Sequence, residues 1–421
     1  MANGFTKSQH VFFENVLEAF SPSNVVARHC KKYEPSQQTV ERSGLTTRRP
    51  AGYIAEVTTG LDVSADYKDL TELTVPATLA EADITNHAFK LNALTLSDPV
   101  RRQQAAKAAA TALAANLDKR VSDKVGTHGT LVLTETGEFT SYDHLAKGET
   151  SLMVREVNAS AKRALILNAF MSRKMANELA SRATDNSRDM GAYERSKLPP
   201  VGGFDTMRAG VLTAITGSAV AGVTVNGANQ RKTPTVFDGT NSAAADNRFG
   251  DLIVSAATLL NGDCFTIAGV NSVGMISKRD TGQLQTFRVI SGGGTVNLVI
   301  SPAIIPVDQA ASAFKKYGNV TTTPANLAAI TILNTDTTQP SIFFCEDAVE
   351  LNVGKLEVGD LGPGVSVMRE VTDSGIEIIF ARQGGIDTLE AKYRLSCWAV
   401  PNVVMPELAG IYLPNQNVAF G

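Results

Sequence analysis

Apolar residues recur along this chain with two different periods, and the change of period marks its parts. Over residues 9–20, Val11, Phe12, Val16, Leu17 and Phe20 fall on one helical face, with Glu14 and Glu18 four apart on a more polar one. Ser21-Pro22-Ser23 ends that helix, because proline cannot continue it. A helix of about twelve residues is marginal alone; it needs a surface to lie on, one that another molecule could supply. A longer helix is predicted from residue 97 to Gly126. Ser97 is its candidate N-cap, Asp98 favours the positive end and Pro99 fits the first turn. Residues 105–115 hold eight alanines, and Leu113, Leu117, Val121 and Val125 form an apolar stripe at spacing four. About 28 residues at 1.5 Å each make a rod of roughly 42 Å.

Beyond that rod the pattern alternates between strand and helix. Residues 129–135 and 163–167 read as strands, residues 151–162 as helix, and Asn168 caps a further helix over 169–180. This order predicts an α/β layer. From about Gly217 to Asn334 the composition turns to Gly, Thr, Val and Ser, and only strands and turns are legible. Residues 286–290 and 295–300 alternate on either side of Gly292-Gly293-Gly294, a hairpin signature. We expect a small antiparallel barrel or sandwich, inserted into an exposed loop of the surrounding protein. After Asn334 strands return at 341–349, 365–371, 376–382 and 393–400.

One stretch has little core of its own. Residues 40–85 carry Arg42, Arg48 and Arg49 on the outgoing half and Asp62, Asp66, Asp69 and Glu72 on the way back. A long two-stranded excursion is not independently stable in water, so it is either mobile or laid on a neighbour. Its split charge fits contacts between subunits, and equally a plain solvated loop.

The whole chain, 421 residues with 43% hydrophobic and 19% charged, is ordinary globular material of about three domains. A net charge of −3 supplies no global field for nucleic acid or anionic membrane. No apolar run is long enough to span a bilayer, and no secretory signal is expected. Cys30, Cys264, Cys345 and Cys397 lie far apart and read as small buried apolar residues in a reducing setting.

No catalytic constellation is legible in the sequence. None of the five histidines pairs with another at helical ligand spacing. The glycine clusters at 292–294 and 359–364 read as turns, without the Lys-Ser/Thr of a phosphate cradle, and no GxSxG elbow occurs. The Asp238–Asp246 loop has oxygen ligands but not the spacing of a calcium loop. Arg101, Arg102, Lys107, Lys119, Arg120 and Lys124 of the long helix read as a solvated face, capable of non-specific phosphate contact. No cofactor or metal is expected. A marginal helix, an unsupported loop and a guest β domain are features of a building block completed by copies of itself.

Particular segments are also familiar. KKYEP (31–35), Glu41-Arg42-Ser43, Gly203-Phe204-Asp205, VTVNGA (223–228), DNRF (246–249), GDCFTIAGV (262–270), GGIDTLEAKYRLSCWAV (384–400) and LPNQ (413–416) occur in order along nearly the whole chain. In these the chain resembles the major capsid proteins of short-tailed Salmonella-type bacteriophages, which have the Hong Kong-type capsid fold, an α+β architecture, with an inserted all-β domain. The resemblance implies an N-arm at 1–36, an E-loop with its flanks at 37–85, a peripheral domain with spine helix at 86–139 and 386–421, an axial domain at 140–216 and 335–385, and the insert at 217–334. It implies hexamers and pentamers closing an icosahedral shell, a scaffold-directed procapsid, and expansion as double-stranded DNA is packaged. The implied partners are copies of the chain, a scaffolding protein, a portal protein, the packaged DNA by non-specific contact, and a decoration protein as a further candidate, with no membrane. Glu14 and Glu18 become candidates for the scaffold contact. The charged residues of 40–85 and Asp238 become candidates for contacts between subunits. No Lys–Asn–Glu crosslinking trio is identifiable, so a non-covalent shell is expected. The alternatives are a nanocompartment shell protein of the same fold and an enzyme carrying a β binding module.

Overall fold

Each apolar period becomes a distinct layer of structure. A computed structural model describes the chain except residues 1–6, 35–44, 51–58, 63, 65–66, 68–72, 93–96, 159, 183–197, 199, 211, 239–245, 309–311, 357–364 and 386–389, and gives backbone alone for residues 8, 45–50 and 179–182. The first elements are α1 (Lys7–Ser23), β1 (Lys31–Tyr33), β2 (Leu45–Pro50), β3 (Thr74–Leu79), β4 (Ile84–Asn92) and α2 (Pro99–His128). Then come β5 (Leu131–Thr134), α3 (Tyr142–Val154), β6 (Arg163–Asn168), α4 (Ala169–Arg182) and β7 (Asp205–Ala209). The insert supplies β8 (Gly250–Ile253), β9 (Cys264–Val273), β10 (Asp280–Ser291), β11 (Asn297–Ser301) and β12 (Ile330–Ile332). The remainder are β13 (Ser341–Cys345), β14 (Val349–Val353), β15 (Val365–Val371), β16 (Glu377–Gly385), β17 (Glu390–Val403) and β18 (Ala409–Leu413). Contacts divide the chain into two units, the first made of Met1–Thr47, Ala77–Ser122 and Glu350–Asn402, the second of Arg48–Pro76, Asp123–Val349 and Val403–Gly421.

In the first unit the strands run β1-β14-β17-β16-β15, with β4 also on β17. Cross-strand register sets Phe89 and Arg382 opposite Tyr393. These residues share a face with Phe380, because side chains alternate across a strand. On that aromatic face lies α1. Phe12 approaches Phe380 and Tyr393 with ring centroids 5.5 Å away in each case, and Phe13 approaches Phe380 at 5.6 Å. The surface that this helix needs therefore comes from its own chain. The buried set also differs from the expected stripe: Phe12, Phe13, Val16 and Phe20 are buried, Leu17 is half-buried and Val11 is 47% exposed.

The long helix α2 runs two residues past Gly126 and, at 30 residues, spans about 45 Å. Its cap is Asp98, not Ser97: Asp98 Oδ1 accepts the amides of Val100 at 2.9 Å and Arg101 at 3.4 Å. Leu113, Leu117, Val121 and Val125 are all buried, with Ala106, Ala109, Ala110 and Ala114 beside them. Small side chains there allow close packing.

The second unit contains a sheet ordered β5-β18-β13-β6-β7, parallel at both ends and antiparallel in the middle. The helix expected over 151–162 is displaced; α3 starts at Tyr142 and stops at Val154, and Arg163 already opens β6. The predicted Asn168 cap is present, its Oδ1 accepting the Met171 amide at 2.8 Å. Tyr412 on β18 donates to the Leu145 carbonyl at 2.9 Å and passes so close to Gly148 that a Cβ there would meet the phenol oxygen at 2.0 Å. Only glycine fits at that point of α3.

The insert, in the same unit, is a sheet ordered β12-β9-β10-β11-β8. Thr224 bridges to Ala329 and Val225 to Val254, which joins the two end strands and closes a barrel. Register shifts in β10 supply bends needed for closure. Val225, Leu252, Val254, Phe265, Ile267, Phe287 and Ile300 fill it, with Phe265 and Phe287 stacked at 5.8 Å. Its ends meet, as insertion requires: Ile215 and Thr338 exchange backbone hydrogen bonds of 2.9 and 3.1 Å. The four cysteines are buried and none is in a disulfide.

Candidate assembly surfaces

Glu14 and Glu18 stand one turn apart on the exposed side of α1, whose other side is held by four buried apolar residues. Asn15 between them donates to the Val11 carbonyl at 2.6 Å and accepts from Gln103 of α2 at 3.3 Å. The helix is held by its apolar face and touches α2 through Asn15, and its acidic pair is exposed on the opposite side. Of the predicted contact residues, these two alone are brought together among the described residues.

In the 40–85 stretch, β2 and β3 pair as a two-stranded ribbon. Its base is better buried than expected, with Leu73, Val75, Ala77 and Leu79 at 3% exposure or less, and the Leu73 amide donates to the Tyr317 hydroxyl at 3.2 Å. Leu61 and Tyr67 are exposed. Asp62 is exposed and accepts the Ser64 amide at 2.9 Å; its hydrogen bonds to Ser64 hold the carboxyl below its ordinary range. Arg48 and Arg49 lie in β2, where only the backbone is described. Arg42, Asp66, Asp69 and Glu72 lie outside the described residues. Asp238 is exposed next to the exposed Val236 and Phe237, and the loop that follows it lies outside the described residues.

Within the second unit, sequence reasoning missed the residues that seat the barrel. Asn334 works at the neck, its side chain donating to the Thr216 carbonyl at 2.9 Å and accepting the Cys264 amide at 2.8 Å. At the end of α3, the Arg155 guanidinium donates to Gln285 at 3.0 Å, and the Glu156 carboxylate accepts the amides of Ile276 and Ser277 at 2.8 and 2.7 Å. Glu156 adopts φ 63°, a costly conformation for a residue with a Cβ. Arg248 reaches the Val403 carbonyl at 2.8 Å, and Asn319 donates to Glu407 at 2.6 Å. These pairs join positions up to 155 residues apart, and no local motif announces them. No signal was available for Arg155 and Glu156, because the helix expected over 151–162 put both inside it, whereas α3 stops at Val154.

Among the described residues no group of three His, Cys, Asp or Glu side chains is placed to hold a metal ion, and no helix is long and apolar enough to cross a membrane. What the surfaces offer is attachment: an acidic pair on an anchored helix, a paired ribbon with an exposed end, and a firmly seated barrel. The family model described as "P22 coat protein - gene protein 5" matches residues 1–415, and the chain belongs to that family. It is similar to the CUS-3 coat protein I-domain, at 45% identity over 28% of this chain and 99% of that one, with a TM-score of 0.24. It is also similar to the capsid of the cyanophage P-SCSP1u, at 9% identity over 92% of this chain and 86% of that one, TM-score 0.41. A virus-like particle from Pyrococcus furiosus is similar at 8% identity over 97% and 100%, TM-score 0.39. The chain is the major capsid protein of a tailed double-stranded DNA phage, a structural protein of the icosahedral shell, built as an α+β protein with an inserted β domain.

Proposed function

We propose that the subunit enters the shell as hexamers and pentamers gathered around a scaffolding protein, and that α1 is the arm on which the scaffold is received. Assembly takes place in the host bacterial cytoplasm, and the procapsid enlarges as DNA is packaged. The observation that carries the scaffold contact is the outward pair Glu14 and Glu18 on a helix that its own chain has immobilised. Two carboxylates one turn apart on a fixed helix attract a basic helix without an ordering cost on this side. Residues 1–36 act as the N-arm and 37–85 as the E-loop. Arg42, Arg48, Arg49, Asp62, Asp66, Asp69 and Glu72 meet neighbouring subunits, and Asp238 in the insert, which takes up 217–334, meets another copy. A portal protein, a decoration protein and non-specific contact with packaged DNA complete the partners.

The test is charge reversal at both acids. The Glu14→Lys, Glu18→Lys double variant should keep its fold, since both sites are exposed, but lose most scaffold from co-produced particles. Particles with the normal scaffold content would dismiss the contact.

A further inference from the structure

We infer that Asp118 is the positioning residue that fixes the N-terminal arm to the long helix, and that residues 24–27 are the point where the arm is released. The helix α1 ends at Ser23, and the short turn of Ala27–His29 that follows has no side-chain cap from its own segment. Its donors are met from far away in sequence. Asp118 of α2 accepts the Val25 amide through Oδ2 at 2.7 Å, and the amides of Val26 and Ala27 through Oδ1 at 3.0 and 2.9 Å. Three backbone donors on one half-buried carboxylate make a charge-assisted hold. Burial works against the charge and leaves the carboxyl above its ordinary range, opposed by the three amides and, least, by nearby Arg28.

The residue beside this hold opposes it. Asn24 is fully buried, and neither its side-chain oxygen nor its nitrogen has a partner among the described residues. A buried amide left unpaired costs free energy in the docked state alone. The junction therefore has one strong fastening and one built-in penalty, which suits a contact made to open. Its loss would be local. Arg120, two residues along the same helix, separately holds the sheet by donating to the Asp83 carbonyl and carboxylate, both at 2.7 Å, and to Thr85 at 3.2 Å. On the reading that α1 receives the scaffold, Asp118 also sets the orientation in which Glu14 and Glu18 are offered.

The experiment is amide hydrogen exchange on the full-length chain, with Asp118→Asn and Asn24→Leu as opposed variants. Asp118→Asn keeps the shape but turns one acceptor into a donor facing an amide. We expect exchange at Val25, Val26 and Ala27 to rise tenfold or more, with the Thr85 region unchanged. Asn24→Leu should slow the same three amides. Unchanged exchange at 25–27 in Asp118→Asn overturns the assignment. Should that variant not fold, faster or equal exchange in Asn24→Leu overturns it instead. Scaffold content of co-produced particles separates the two readings. Faster exchange with normal scaffold content leaves the Asp118 hold standing and removes the scaffold role of α1.

Discussion

The inserted barrel and the N-terminal arm bury their apolar residues by opposite means. The barrel closes on itself: Phe265, Phe287, Ile267, Leu252 and their neighbours form one cluster drawn entirely from within 223–332. The described residues of the arm are buried against other segments. Phe12 and Phe13 are covered by Phe89, Phe380 and Tyr393, in pairs separated by 77 to 381 residues along the chain. The difference teaches where each element is fastened. A closed barrel keeps its shape wherever it is seated, whereas an appended helix exists only as long as its platform and its hold last. In a shell that difference separates a fixture from a part that can be moved.

The sharpest way to break the comparison is Phe287→Ala. Removing a fully buried ring from the barrel should cost about 3–5 kcal/mol and lower the insert's melting transition, while protease sensitivity around α1 stays unchanged. An excised 217–334 segment that remains unfolded would contradict the claim of self-sufficiency at once. Next in size is Phe12→Ala. It should cost about 2–3 kcal/mol, at the low end for core truncation because an appended helix can settle into the gap. Limited proteolysis should then cut near α1 first, with the insert's melting untouched. A uniform loss across both regions would show that they are one cooperative block.

The smallest effect concerns pH and the second unit. Burial, followed by the nearby cations Lys124, Arg248 and Arg288, pushes the His128 imidazole down to about 3. The native state therefore keeps His128 neutral, while the unfolded chain takes up a proton below its ordinary value of 6.5. Stability is fully present above that value and is lost as pH falls toward 3, by about 1–2 kcal/mol at pH 5. A His128→Gln variant should lose less stability between pH 7 and pH 5 than the parent. Thermal melts at the two pH values check this, and equal losses would refute it.

Local chemistry explains which parts were legible beforehand. The alternation around Gly292–Gly294 gave the β10–β11 hairpin, Asn168 gave the start of α4, and the alanine run gave α2. Where two local signals competed, the reading slipped by a residue or more. Asp98 took the cap expected of Ser97, because its side chain reaches the amides of Val100 and Arg101. The α3 helix was misplaced because its apolar positions are few, with Leu145, Gly148, Ser151 and Leu152 as the buried ones, two of which do not register as hydrophobic. Collinear motifs identified the family, since order along a chain carries information that single short matches do not.

By itself the amino-acid order determined the periods, the caps, the hairpin, the guest domain and the acidic pair of α1, because each depends on residues within a turn or a strand of one another. Tertiary structure alone decided what lies against what. It placed α1 on its own aromatic sheet, turned Val11 outward, set Asp118 under three distant amides, and seated the barrel through Arg155, Glu156, Arg248 and Asn319. These are contacts between segments tens to hundreds of residues apart. Their partners are selected by folding geometry and burial, and no spacing along the chain encodes them.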